Sequence, residues 1–227
     1  MKKNDLSLIE ETVPLKKQRR GGAVNLILTA LLVEAGRMLD EGMGRREVEA
    51  AAVKTFGMDK GFLSVLESVG REKAVSLMEY LSDSSQEDDP FVRTYDNFFS
   101  PPESLRMSRA ENKADAEPLR EDTAEDTAED FMLLDLLGRR FKGVLFMIAV
   151  ELVESGVLGT EDVETICKRD FGWDEGPFVM MNRIGVEESL RIVTEKMELS
   201  HRREINFHIP WMLIDQSGLK QPWIIPS

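Results

Sequence analysis

The sequence predicts an all-α protein built from two similar helical halves. Apolar residues recur at spacings of three and four, alternating strand patterns are nearly absent, and the two halves of the chain match each other in order. Hydrophobic residues make up 42% of the chain and charged residues 31%, values typical of a soluble protein with a packed core. We therefore expect two helical domains in tandem.

The first predicted helix lies in GGAVNLILTALLVEAGRMLDEG, residues 21–42. Its apolar residues form one stripe that ends at Gly42. The stripe consists of Val24, Ile27, Leu28, Leu31, Leu32, Ala35, Met38 and Leu39. A single polar residue, Asn25, stands where the apolar spacing begins. Because Asn is among the preferred N-cap residues, one interpretation of Asn25 is a helix cap.

The second half is predicted to contain the same elements. The counterpart of the first helix runs from about Phe141 to Glu154. A shorter helix follows in each half, in REVEAAAVKTFG and in TEDVETICKRDFG, and Thr160 is the predicted cap of the latter. Gly57 and Gly172 are predicted to stop these helices. In each half, GFLSVLESVG or GPFVMMNRIG and one more helix then precede an extended segment with proline.

The match between the halves rests on identical residues at nearly constant offsets. A shift of 115 pairs Val48, Glu49, Phe56, Gly57, Asp59, Gly61, Gly70 and Glu72 with Val163, Glu164, Phe171, Gly172, Asp174, Gly176, Gly185 and Glu187. A shift of 108 pairs Phe99, Pro102 and Leu105 with Phe207, Pro210 and Leu213. Matches in this order indicate a duplicated structural unit.

An acidic segment separates the halves. ENKADAEPLREDTAEDTAED, residues 111–130, holds nine acids against two bases, too polar a composition to bury a core, and is predicted to be a flexible linker. We therefore divide the chain into an N-terminal lead-in at 1–20, a first helical domain at 21–110, the linker, and a second helical domain at 131–227.

Charge and composition exclude several classes of function. The net charge is −13 and only KKQRR, residues 16–20, is locally basic, so we expect no nucleic-acid partner. We find no apolar run of membrane-spanning length and no signal peptide, so we expect no membrane association and a cytoplasmic location. Cys167 is the only cysteine, which excludes an intrachain disulfide and leaves it the role of a core residue. We expect no metal site.

These motifs resemble the C-terminal helical domain of the 3-hydroxyacyl-CoA dehydrogenase family. GGAVNLIL is similar to the family's opening motif, which contains Val-Asn-Arg. GMDKGFLSVLESVG and GWDEGPFVMMNRIG are similar to its Gly-Pro-Phe stretch, and FFSPPESL and FHIPWML to its later Pro-Pro segment. The resemblance implies two tandem domains with the 6-phosphogluconate dehydrogenase C-terminal-like helical fold.

The resemblance gives Asn25 a second interpretation, that of a substrate-orienting amide. Asn25 matches the Asn of the family motif, but the neighbouring Arg is Leu26 here. The second half has Arg139 or Arg140 where an Asn would fall. At most one copy of the motif is therefore expected to serve a site, and the choice between cap and substrate contact stays open at this stage.

The family's catalytic machinery lies in a domain that these motifs do not include. Hydride transfer to NAD requires a Gly-rich turn, and no GxGxxG occurs in the sequence. The only histidines, His201 and His208, lie beyond the last predicted helix and do not match the catalytic base of the family. We expect no catalytic residue and no bound cofactor in this chain, and NAD only through a partner domain.

Two functions follow as hypotheses. In the first, the chain is the detached helical part of a 3-hydroxyacyl-CoA dehydrogenase in fatty acyl-CoA β-oxidation, sharing an acyl-CoA cleft with a separately encoded NAD-binding domain. In the second, the chain is a non-catalytic interaction or assembly module derived from that family. A homodimer is possible in both.

A few further residues carry structural expectations. Gly61 and Gly176 are interpreted as turn glycines required by backbone geometry. Glu67, with Asn182 at the corresponding position, is expected to have a solvated or capping role. Trp211 and Trp223 lie in the apolar C-terminal tail, which we expect to dock on its own domain. Buried packing is expected for Phe62, Phe178, Met180 and Met181.

Overall fold

A computed structural model describes residues 19–83, 96–106 and 128–226, and within these ranges all regular structure is helical. The predicted all-α fold is confirmed. The first half contains α1 (Arg19–Asp40), α2 (Arg45–Phe56), α3 (Phe62–Val69), α4 (Arg71–Ser82), the 3-10 helix η1 (Asp96–Phe99) and α5 (Glu103–Arg106). The second half contains α6 (Ala128–Glu154), α7 (Thr160–Arg169), α8 (Pro177–Ile184), α9 (Val186–His201) and α10 (Trp211–Leu219).

Helices α1 and α6 form the centre of the fold. Helix α6 packs against α1, α2 and α9, so it contacts both halves, while α1 also contacts α3 and α5. The buried apolar residues of both halves belong to one continuous cluster. The segments 1–18 and 107–127, which hold most of the predicted lead-in and linker, lie outside the described residues. Residues 128–130, the end of the predicted linker, form the first turn of α6.

The starts of two helices differ from the predictions. Helix α1 begins at Arg19, so Asn25 lies inside the helix and the cap interpretation is wrong. The apolar stripe marks where burial begins, and the helix starts before it with an exposed Gly21. Thr160 is the first residue of α7 and Gly159 is its N-cap, with the Gly159 N–H donating to the Asp162 carboxylate at 3.2 Å.

The two halves share the same breaks between helices. Gly70 separates α3 from α4 with φ +96°, and Gly185 separates α8 from α9 with φ +94°. Only glycine adopts this backbone region at little cost, which explains why both halves carry it at this point.

Each half ends with a short helix that sequence patterns did not predict. The N–H of Ser104 in α5 donates to Asp40 at 2.8 Å, and the N–H of Met212 in α10 donates to Glu154 at 3.0 Å. Asp40 and Glu154 are the last residues of α1 and α6. These helix N-termini are capped by carboxylates that are distant in the chain. The sequence around each short helix therefore carries no local capping signal that would predict it.

Helix α1 is also long and apolar enough to cross a membrane by length and composition alone. The expectation that no apolar segment reaches this length was therefore wrong for the 20 residues Gly21–Asp40. In the bundle, 89% of that stretch is buried, as is usual for the core helix of a globular protein.

Candidate functional site

Asn25 presents an unsatisfied polar atom inside an apolar helix. It is half-buried between Val24 and Leu26, which are both buried. Its side-chain oxygen Oδ1 is shielded from solvent and accepts no hydrogen bond from any described residue. A buried acceptor without a donor costs free energy, and such atoms often mark a place where a ligand or water supplies the donor.

The corresponding position in the second half is occupied by an arginine with ion-pair partners. Counting back from the turn that ends each long helix, Arg139 of α6 corresponds to Asn25. Its guanidinium donates to Glu188 at 2.8 Å and to Glu195 at 2.7 Å. Hydrogen bonds from Arg191 and Arg139 lower the pKa of Glu188 to about 2. The second half therefore fills this position with paired charges, whereas the first half leaves an unpaired acceptor.

A buried ionic cluster joins the two halves, and sequence analysis missed it. Glu34 of α1 is fully buried, and Arg140 of α6 donates to its Oε1 at 2.7 Å. The Lys196 ammonium lies 2.8 Å from Oε2, although off the direction of a hydrogen bond to it. Burial alone would raise the pKa of Glu34, but the charges of Lys196 and Arg140 outweigh it and lower that pKa. The only sequence signal for this cluster is the acidic residue Glu34 within an otherwise apolar stretch of α1.

The cluster continues to the surface between the halves. Arg140 holds the Glu41 carboxylate with both terminal nitrogens, at 2.5 and 2.7 Å, and Arg203 also pairs with Glu41. Arg37 donates to the carbonyl of Phe98 and its guanidinium lies 4.9 Å from that ring centre. Burial lowers the pKa of Arg37 to about 10, against the opposing charge of Glu34. The pairs of Arg140 and Arg203 with Glu41 fix the halves relative to each other.

A second repeated arrangement places a carboxylate at a helix N-terminus. The Glu164 carboxylate accepts hydrogen bonds from three backbone N–H groups at the start of α8. The donors are Gly176 at 3.1 Å, Phe178 at 2.7 Å and Val179 at 3.1 Å. Burial raises the pKa of Glu164, while these hydrogen bonds act in the opposite direction. Glu49 accepts two of the corresponding hydrogen bonds at the start of α3, from the N–H groups of Leu63 and Ser64. The carboxylates satisfy N–H groups that have no partner within their own helix.

This arrangement explains Gly61 and Gly176, and it corrects their interpretation. Their φ values, −75° and −86°, are ordinary, so backbone geometry does not require glycine. A Cβ on Gly176 would instead lie 2.4 Å from a Glu164 side-chain oxygen, and one on Gly61 would lie 2.8 Å from both the carboxyl carbon and the backbone carbonyl oxygen of Glu49. Glycine is needed at Gly176 because the Glu164 carboxylate approaches so closely, and at Gly61 because the Glu49 carboxylate and backbone both do.

The remaining singled-out polar residues are structural. Glu67 forms an ion pair with Arg45 at 2.8 Å on the surface of the first half. Asn182, at the corresponding position of the second half, binds both backbone groups of Trp223. The expected docking of the tail is seen for Trp223, which is 6% exposed, but Trp211 is 72% exposed.

The two histidines contact other residues of the second half. His201 lies 2.9 Å from the carbonyl of Phe207, and His208 lies 3.1 Å from a Glu151 oxygen. The expected core packing is seen for Phe62, Phe178, Met180, Met181 and Cys167, all of which are buried.

Two arrangements are absent from the described residues. These residues contain no strand, and hence no strand–turn–helix unit of the kind that holds a pyrophosphate. Across residues 19–83, 96–106 and 128–226, no three potential metal ligands come together.

Fold and site together define an α-helical bundle of two like halves, with one unsatisfied amide on the central helix of the first. The chain belongs to the family described as 3-hydroxyacyl-CoA dehydrogenase, C-terminal domain, which it matches over residues 21–111 and 137–221. No NAD-binding domain is detected. No curated protein matches the chain.

Proposed function

We propose that the chain is the helical, substrate-cleft portion of a 3-hydroxyacyl-CoA dehydrogenase and acts in fatty acyl-CoA β-oxidation with a separately encoded NAD-binding domain. The observation that carries the proposal is the buried, unpaired Oδ1 of Asn25, in a motif that resembles the one holding the family's substrate-orienting Asn. An acceptor in this state is stabilised by a ligand that brings a donor, and a 3-hydroxyacyl group carries one in its hydroxyl.

In this proposal the chain positions the substrate and leaves bond breaking to the partner. The partner holds NAD and the His–Glu pair that removes the hydroxyl proton. Asn25 fixes the hydroxyacyl group, and the helical bundle forms one wall of the acyl-CoA cleft. The isolated chain is then expected to be inactive.

The proposal assigns one substrate site to each chain. We infer that the halves arose by duplication and that the second lost its site, since Arg139 is held there by Glu188 and Glu195. Titration with an acyl-CoA in the presence of the partner should give one equivalent per chain. We place the complex in the cytoplasm and expect neither nucleic acid nor a membrane as partner.

The test measures NADH formation from a 3-hydroxyacyl-CoA when the chain is mixed with candidate NAD-binding domains. We expect a rate above that of the partner alone, and a loss of about 10- to 100-fold on Asn25→Ala, as for removal of one buried hydrogen bond. Arg139→Ala is the matched control and should keep the rate. No gain on mixing, or full activity of Asn25→Ala, contradicts the proposal.

A second candidate is a non-catalytic assembly module. It is favoured by Leu26, which replaces the motif's Arg, and by the charged cluster around Glu34, which binds the halves into one body. Isothermal titration with acetoacetyl-CoA separates the two candidates. Saturable binding that Asn25→Ala weakens supports the first, and no binding in the presence of the partner supports the second.

A further inference from the structure

The charged cluster around Arg139 has a counterpart of different chemistry in the first half. Arg139 of α6 contacts Glu188 at 2.8 Å and Glu195 at 2.7 Å, and Arg191 contacts both of these acids at 2.7 Å. The two acids and Arg191 all belong to α9. Two arginines thus meet two carboxylates, and the cluster is neutral.

The first half has no acid at the four corresponding positions. The turn glycines that precede α4 and α9, Gly70 and Gly185, relate these helices by an offset of 115 residues. By this offset, Glu188, Arg191 and Glu195 correspond to Lys73, Ser76 and Tyr80, while Arg139 corresponds to Asn25 as above. One lysine and three uncharged hydrogen-bonding side chains therefore replace four paired charges.

The two pairs of helices also differ in how closely they pack. Helix α9 lies close to α6 at Gly143, where a Cβ would be 2.7 Å from the Lys196 Cβ and 3.2 Å from the Ile192 carbonyl oxygen. Counted back from the turn that ends each long helix, the corresponding residue of α1 is Thr29, whose side chain does not fit at that spacing. The distance between packed helices depends on the side chains at the contact, so α4 lies farther from α1 and touches it at few points.

The face of α1 that carries Asn25 is accessible only at its N-terminal end. Residues three and four apart share one face of a helix. One turn before Asn25, Gly21 is exposed and Gly22 is half-buried, whereas one turn after it Leu28 and Thr29 are buried. Asn25 therefore lies where the accessible part of this face ends.

We propose that Asn25, Lys73, Ser76 and Tyr80 form one binding site, a groove between α1 and α4 that takes a ligand rich in anionic or carbonyl oxygens. The Lys73 ammonium and the hydroxyls of Ser76 and Tyr80 are donors for such oxygens, and the unpaired Oδ1 of Asn25 accepts a hydroxyl of the same ligand. Lys73 and Ser76 are exposed and Tyr80 is half-buried, so a ligand can reach them.

An acyl-CoA matches this set of groups. A 3-hydroxyacyl thioester brings a hydroxyl for Asn25 and a carbonyl oxygen, and CoA brings phosphates. Lys73 binds an oxygen of one of these two parts of the molecule, since both accept a hydrogen bond from an ammonium. This choice of ligand rests on the proposed function, whereas the grouping of the four side chains does not.

The grouping is tested without a ligand, by building the ion pair of the second half into the first. Asn25→Arg combined with Lys73→Glu places the residue types of Arg139 and Glu188 at the corresponding positions. We expect the double variant to have a Tm about 2–4 °C above the value that the two single variants predict by addition, because residues in contact couple. Additive shifts in Tm, followed by circular dichroism, overturn the shared groove.

The matched control combines Asn25→Arg with Lys60→Glu, a charge reversal elsewhere in the first half. Lys60 is exposed and corresponds to Glu175. Because Glu175 pairs with Arg183 and not with Arg139, the control pair should be additive. Coupling as large as that of the first pair would mean that the effect is one of net charge, and it also overturns the grouping.

The ligand is tested in the NADH-forming assay with the NAD-binding partner. We expect Lys73→Met to lower kcat/KM for 3-hydroxybutyryl-CoA about tenfold, as for loss of one charge-assisted hydrogen bond, and Lys73→Arg to retain most of it. Lys60→Met is the control and should keep the wild-type value. An unchanged kcat/KM for Lys73→Met overturns an acyl-CoA as the ligand of this groove.

A substrate without phosphates shows which oxygen Lys73 binds. If Lys73→Met also lowers kcat/KM for 3-hydroxybutyryl-pantetheine, Lys73 binds the acyl end, and if it affects only the CoA substrate, Lys73 binds a phosphate. If no NAD-binding partner gives NADH with the wild-type chain, the proposed function fails together with this ligand. The Tm measurements still decide whether the four side chains share a groove.

Discussion

In the first half, Asn25 on α1 keeps an unpaired acceptor, whereas in the second half Arg139, at the corresponding turn of α6, is held by Glu188 and Glu195. Both positions break an apolar helix with a polar side chain. The presence of such a polar residue is therefore not enough to identify a ligand contact. Its hydrogen-bond and ion-pair partners decide whether it is a candidate ligand contact or part of a surface ion pair.

The halves also differ in where they bury charge. Glu34 of α1 is fully buried, and the corresponding residue of α6 is Ile148, which packs in the apolar core. The cations that meet Glu34, Arg140 and Lys196, both come from the second half. The interface is therefore asymmetric, and the buried carboxylate of Glu34 meets its two closest cations only across it.

The sharpest way to test this asymmetry is to compare two adjacent arginines. Arg140→Ala leaves Glu34 buried with one cation fewer and should lower the free energy of unfolding by about 3–5 kcal/mol. Arg139→Ala removes partly exposed pairs and should cost less than about 1 kcal/mol. Urea denaturation measures both. Similar losses would show that the cluster around Glu34 is not an important source of stability.

The pH dependence of stability provides a second test of the same cluster. The pKa of Glu34 is lowered from 4.5 in the folded chain, so its ionisation stabilises the fold above pH 4.5 and this contribution is lost as the pH falls through the lowered pKa. Glu34→Gln does not titrate. The stability difference between wild type and Glu34→Gln should therefore shrink on acidification from pH 6 to pH 3, measured by urea denaturation at each pH. A constant difference would contradict the lowered pKa.

The repeated carboxylate arrangement predicts an effect of intermediate size. Gly176→Ala places a Cβ against the Glu164 side chain and should cost about 1–3 kcal/mol, and Gly61→Ala should cost at least as much because its Cβ also meets the backbone carbonyl of Glu49, which cannot rotate away. In a Glu164→Ala background the cost of Gly176→Ala should nearly vanish, since the clashing carboxylate is gone. Additive costs in this thermal or urea double-mutant cycle would rule out the close approach as the reason for glycine.

The smallest expected effect concerns the start of the last short helix. Trp211 is exposed and corresponds to the exposed Glu103 of the first half, so Trp211→Glu gives the second half the residue of the first. We expect a change within about 0.5 kcal/mol in the free energy of unfolding. A larger loss would mean that Trp211 packs on its own chain in solution, as the sequence had suggested.

Periodicity and glycine placement were enough to predict the helical class and the family, because these depend on local patterns along the chain. They also placed Cys167 and Phe178 in the core correctly. The start of α1 and the cap of α7 were missed, since burial patterns do not mark where a backbone helix begins.

The sequence by itself determined which of the longer segments become helices and which of their faces are apolar, because both follow from neighbours three and four residues apart. Only the tertiary structure decided which polar residues are satisfied. Glu34 meets Arg140 from 106 residues away, and Asn182 meets Trp223 from 41 residues away, whereas Asn25 meets no described donor. The reason is physical: whether a buried polar atom is structural or available to a ligand depends on groups that only the packed fold brings to it.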